Sequence, residues 1–237
     1  MLSARLGRVT APQLRRFYFL LGSALASRLL IDEQSGIWRV HNQELFPWRH
    51  LPGLPLYPTW MLAIEWALLA ASAAGLLWGH WVKAALRVAL LALAMGLSQR
   101  YANQNALLFL VLAFANLEIP TLPLPTARVI LPNVGLLRMQ LFIVYGFSVV
   151  NKIVSGFLSG ETLSNLFAFP RGLAAYAAPG AVAAELIIPA LLWFGNPGLG
   201  FIGAALLHGL FAWFMPSVWP FSLTMLALAV LFVPASV

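Results

Sequence analysis

Long apolar runs alternate with short segments that collect prolines, arginines and tryptophans. The runs are Phe17–Ile31, Pro58–Trp78, Ala84–Leu97, Asn105–Ile119, Leu137–Leu158, Leu173–Phe194 and Leu199–Met215. A helix needs about 20 consecutive apolar residues to cross a bilayer, so each run reads as a span or a slightly short one. A last segment, Val218–Val233, is either a full span or a half-helix, because Pro216 and Pro220 bracket its start. The pattern predicts an all-α polytopic membrane bundle of six to eight transmembrane helices. Residues 32–57 are polar, Pro-rich and aromatic, as in an interfacial loop with Trp38, Trp48 and Tyr57 at headgroup level. "IPTLPLPTARVILPN", 119–133, cannot be one continuous helix, since its prolines interrupt the hydrogen-bond ladder. Pro189 has no N–H for the Glu185 carbonyl, which predicts a kink or local unwinding there.

Composition supports a membrane class. The chain is 61% hydrophobic and 9% charged, whereas soluble domains carry about a quarter charged residues. No linker or low-complexity tract interrupts it, so residues 1–237 read as a single integral membrane domain without an extramembrane domain. The absence of cysteine excludes disulfides, thiolate metal ligands and a Cys nucleophile. The four histidines show no HxxxH spacing, and no metal site is expected.

The +7 balance would suggest nucleic acid in a soluble protein. Here the cations fall between apolar runs, where they set topology and meet membrane lipids, so no nucleic-acid partner is expected. With the N-terminus inside, Arg5, Arg8, Arg15, Arg16, Lys83, Arg87, Arg128 and Arg138 are inside, against Arg39, Arg49, Arg100 and Arg171 outside. That excess predicts an N-terminus-inside orientation. The basic start and "ALAS" at Ala24–Ser27 would also suit a cleavable signal peptide. Arg28 and Asp32 stand at helical i,i+4 spacing, however, and we read the run as a retained first helix.

The candidate chemistry centres on "QLFIVYGFSVVNKIVSGFLSG", Gln140–Gly160. On a helix, Tyr145, Ser148, Lys152, Ser155 and Ser159 form one polar stripe, flanked by Asn151. Two readings stay open. Lys152 either snorkels toward headgroups beside a small-residue packing face, or lies against the bundle interior as a partly desolvated amine able to move a proton. Glu185 is its favoured partner and His208 the second, while Glu65 reads as a buried structural carboxylate. "RYANQN", Arg100–Asn105, reads as a polar loop with helix-capping duty.

The same stretch, extended to "QLFIVYGFSVVNKIVSGFLSGETL", resembles the transmembrane domain of vitamin K-dependent γ-glutamyl carboxylase. In bacteria this domain occurs as the horizontally transferred transmembrane domain (HTTM) family. Gln140, Tyr145, Lys152, Phe157 and Gly160 follow the family's order, and Glu185, His208 and "FAWFMP" match a second, downstream pattern. The resemblance implies a multi-pass protein of the bacterial inner membrane and a quinone or hydroquinone ligand. It makes Lys152, Glu185 and His208 candidate catalytic residues, with Lys152 as base, and Gln140, Tyr145, Ser148 and Asn151 candidate substrate-binding residues. If the chain is an enzyme, the implied activity is quinone-linked and oxygenase- or carboxylase-like. The alternative is a non-catalytic membrane subunit or scaffold packed against a membrane protein partner. A transporter ranks third, since the hydropathy shows no inverted repeat.

Overall fold

A computed structural model describes residues 8–36, 57–99, 103–117, 129–167 and 170–234. Among these, the architecture is helical: α1 (Ala11–Gln34), α2 (Thr59–Trp78), α3 (Val82–Gln99), α4 (Asn103–Leu117), α5 (Pro132–Val154), α6 (Glu161–Phe167), α7 (Arg171–Phe194), α8 (Pro197–Phe214) and α9 (Trp219–Val230). One two-residue antiparallel pairing, β1 (Arg8–Val9) with β2 (Val129–Ile130), ties the start of the described chain to the segment before α5. Trp38, Trp48, His41, His50, Arg5, Arg39, Arg49, Arg100 and Arg128 lie outside the described residues, as does most of the Pro-rich 119–133 segment.

Among the described residues, four helices are long and apolar enough to cross a membrane: Thr59–Trp78, Asn133–Val154, Arg171–Phe194 and Pro197–Phe214. Asn105–Leu117 and Trp219–Val230 are shorter apolar helices, so the Val218–Val233 segment takes the form of a short helix.

Local sequence sets the helix ends. Thr10 caps α1: its backbone N–H donates to Gln13 Oε1 (2.9 Å), and Gln13 N donates back to Thr10 Oγ1. Gln13 Nε2 also donates to the carbonyls of Leu231 (3.1 Å) and Val233 (2.6 Å), which follow α9. Arg138 Nη2 reaches the same Leu231 carbonyl, and its guanidinium lies over the Phe232 ring. Two helices thereby satisfy carbonyls that the end of α9 leaves without intrahelical donors. The α2–α3 turn is tight: Gly79 adopts φ 69° and Trp81 φ 49°.

The core lies around α1, which packs most extensively on α9 and α2. Leu21, Leu25, Leu69, Leu86, Leu108 and Leu228 are among its fully buried side chains. Outward faces are apolar too, with Phe147, Leu186, Ile187, Leu206 and Leu210 well exposed. Exposed leucines and isoleucines on this scale suit helices solvated by acyl chains.

Two local expectations are narrowed. α7 stays helical from Arg171 to Phe194 through Pro179 and Pro189, so of the kink or unwinding expected at Glu185–Pro189 the unwinding does not occur. Each proline removes one ladder bond, and the flanking bonds hold the helix. "RYANQN" is no loop at its end: Asn103–Asn105 form the first turn of α4.

Candidate functional site

α5 ends at Val154, four residues before the end the hydropathy suggested, because Gly156 takes φ 74° and a short 3₁₀ turn, Phe157–Ser159, follows. Ser155 and Ser159 therefore leave the stripe and are exposed. Gly160, at φ 77°, then lets the chain pack on α7: a Cβ there would lie 2.6 Å from the Ala174 carbonyl. This contact holds the 3₁₀ turn, and with it Phe157, against the α5–α7 junction.

Lys152, in the last turn of α5, reaches Glu185 on α7. Nζ lies 2.6 Å from Glu185 Oε1 and 2.6 Å from Ser148 Oγ, while Ser148 Oγ donates to the same carboxylate oxygen (3.1 Å). The ammonium also sits 5.6 Å from the Phe157 ring centroid and 5.7 Å from that of Phe211. A carboxylate, a hydroxyl and two π faces thus replace its hydration shell. The side chains are 16% and 4% exposed. Glu185 is 14 residues from the start of α7 and nine from its end, or about 21 Å and about 14 Å at the helical rise. Glu185 thus lies away from both ends of α7, and Lys152 reaches it from the last turn of α5.

Two turns before Lys152 on α5, Tyr145 forms a second polar pair with His208, with OH and Nε2 2.9 Å apart. The imidazole is 1% exposed and meets the rings of Phe211 (6.3 Å) and Phe221 (5.8 Å) edge-on. If Tyr145 donates, Nδ1 carries the ring hydrogen as an unmet donor. If Nε2 donates, Nδ1 offers a lone pair. Either way, His208 Nδ1 is buried without a partner, and so is Glu185 Oε2. Two buried polar atoms in neighbouring groups thus have no protein partner.

The candidates divide accordingly. Lys152, Glu185 and Ser148 share one hydrogen-bonded cluster, and Tyr145 and His208 form its neighbour through Phe211. Gln140 is half-buried and Asn151 exposed, and neither takes part in these contacts. The role of Phe211 escaped the sequence reading, although its i,i+3 spacing from His208 placed both on one face of α8.

Beside the cluster, a cavity of about 720 Å³ opens between α7 and α8, lined by Ala181, Ala184, Ile188, Leu207 and Phe211 among others. Its lining is almost wholly apolar, and Phe211, one of the lining residues, also meets Lys152 and His208. The volume falls within the range of small-molecule sites.

A second buried charge cluster lies between α1, α2 and α4. Arg28 Nη2 is 3.3 Å from Glu65 Oε1, Nη1 is 3.3 Å from Asp32 Oδ2, and Nε donates to Asn105 Oδ1 (2.8 Å). Tyr57 OH donates to Glu65 Oε2. Gly96 on α3 makes room, because a Cβ there would collide with Glu65 Oε1. Both oxygens of Glu65 are engaged, as a structural carboxylate requires.

No protein-family profile, curated protein or solved structure matches the chain. The likeness at Gln140–Gly160 therefore rests on the motif residues themselves.

Proposed function

We propose that the chain is a multi-pass membrane protein, with six to eight spans and its N-terminus inside, that binds a quinone-like lipid-soluble molecule. On this reading it is a carboxylase-type (HTTM-like) transmembrane bundle of the bacterial inner membrane. The observation that carries the reading is the Lys152–Glu185 ion pair, its carboxylate far from both ends of α7, next to Tyr145–His208, with Glu185 Oε2 and His208 Nδ1 unmet. Ionisable side chains in such a place are costly and are kept for a purpose. A hydroquinone hydroxyl can donate to the free carboxylate oxygen while its ring rests against Phe211. The α7–α8 cavity accommodates an isoprenoid or other apolar tail. Lys152 Nζ passes a proton to Glu185 Oε1, 2.6 Å away, and the resulting amine accepts the phenolic proton, so the hydroquinone's proton ends on the Lys152–Glu185 pair and leaves from there to water.

The test is calorimetric titration of the detergent-solubilised protein with a short-tailed naphthoquinol, in buffers of different ionisation enthalpy. Saturable binding with net proton exchange is expected for the wild type. Lys152→Arg retains a cation for Glu185 but cannot act as a base, so it should bind while proton exchange disappears. Absence of saturable binding, or unchanged proton exchange in Lys152→Arg, refutes the reading. The α7–α8 cavity would also suit an apolar helix of a partner chain, so failure of quinol binding would favour the non-catalytic subunit.

A further inference from the structure

A separate cavity of about 880 Å³ lies at the end of the bundle where α1 begins and α2 ends. Arg15, Arg16 and His80 contribute to its wall, and Phe19, Leu76 and Phe201 supply apolar lining. Both arginines are exposed, and neither forms an ion pair among the described residues. Among the described residues that line it, none is acidic. The same end of the bundle carries Lys83 and Arg87 in the first turns of α3, whereas Asp32 and Glu33 lie at the opposite end of α1. Trp78 (76% exposed) and Trp81 (87% exposed) flank His80, and Trp81 is held in the tight α2–α3 turn at positive φ. Indole rings displayed in this way belong at headgroup depth.

We infer that this cavity seats one anionic phospholipid, with its phosphate on Arg15 and Arg16 and its acyl chains along the apolar wall toward Phe19 and Phe201. Three features select this occupant. Among the described residues the cationic mouth has no protein counter-ion, which favours an anionic occupant. The guanidinium forks match phosphate oxygens. The cavity continues below the charged rim as an apolar surface, which free phosphate would leave empty. The inference is independent of the quinone reading, since no residue is shared with the Lys152 cluster.

The test uses the full chain in nanodiscs and native mass spectrometry. In mixed phosphatidylglycerol and phosphatidylcholine discs, the wild type should retain one phosphatidylglycerol per chain when the disc is stripped. The Arg15→Gln/Arg16→Gln variant should lose it, with affinity reduced on the order of thirtyfold for two phosphate-contacting cations. Lys83→Gln removes a rim charge outside the cavity and should weaken retention no more than about threefold. Equal losses in the two variants would reduce the effect to diffuse rim charge and overturn the site. So would equal retention of phosphatidylcholine, or displacement of the lipid by millimolar inorganic phosphate. Should the double variant fail to fold, Arg15→Gln and Arg16→Gln separately decide the matter. Retention unchanged in both single variants overturns the inference.

Discussion

Replacing Lys152 by Met removes the positive partner of Glu185 while keeping a flexible apolar side chain in place. Glu185 is 4% exposed, its Oε1 receives the ammonium at 2.6 Å, and its Oε2 has no partner. The variant leaves a carboxylate with Ser148 alone as donor, so stability should fall by about 3–5 kcal/mol, as for a broken buried ion pair. That corresponds to a lowering of the melting temperature by roughly 10 °C for a chain of this size. Removing the carboxylate instead, with Glu185→Leu, costs less, because the 16% exposed ammonium can turn outward. In the double variant Lys152→Met/Glu185→Leu, neither charge remains buried. Apolar replacement of a buried pair is often neutral or stabilising, so most of the lost stability should return. The coupling energy should be about 3 kcal/mol. An interhelical hydrogen bond in a membrane bundle averages about 0.6 kcal/mol, so the two cases are separable. Denaturant unfolding of all four proteins in one detergent, followed by circular dichroism, measures the cycle. Additive single effects, or a coupling below about 1 kcal/mol, would mean that the pair is solvated, and the argument for a desolvated proton-handling lysine would fall with it.

Gly96→Ala pushes a methyl group onto the Glu65 carboxylate and should cost about 1–3 kcal/mol by overpacking. Its signature is a non-additive cycle: Glu65→Ala is itself destabilising, but in that background Gly96→Ala should cost little, and an unchanged cost would show that the clash relaxes elsewhere. For orientation, the chain has no cysteine, so Lys83→Cys gives a single-site reporter. Labelling by an impermeant maleimide only after the cytoplasmic face is opened is expected, and labelling of intact cells would reverse the proposed topology.

The sequence by itself determined the class and most helix positions, because spans that must satisfy their own backbone in lipid leave a hydropathy pattern readable without tertiary contacts. It also singled out Lys152, Glu185 and His208, since an ionisable side chain stands out against apolar neighbours. Arg28 and Asp32 were legible as a pair because they share one helix at i,i+4 spacing. Local sequence did not reveal where α5 stops: the apolar pattern runs on to Leu158, and the break comes from the positive φ of Gly156 and the packing of Gly160 on Ala174. Periodicity overran there because it counts side chains and carries no term for a backbone forced aside by a neighbouring helix. Pro189 did not unwind α7, because a missing hydrogen bond is a local penalty that the flanking ladder absorbs. The sequence named Glu185 as the favoured partner of Lys152, and the tertiary structure brings the two together over 33 residues; it alone decided the pairing of Tyr145 with His208 over 63. It also decided that Phe157 and Phe211 close around the ammonium and that Gly96 faces Glu65. These depend on the rotation and depth of each helix against its neighbours, and several arrangements of the same spans would bury the same apolar area.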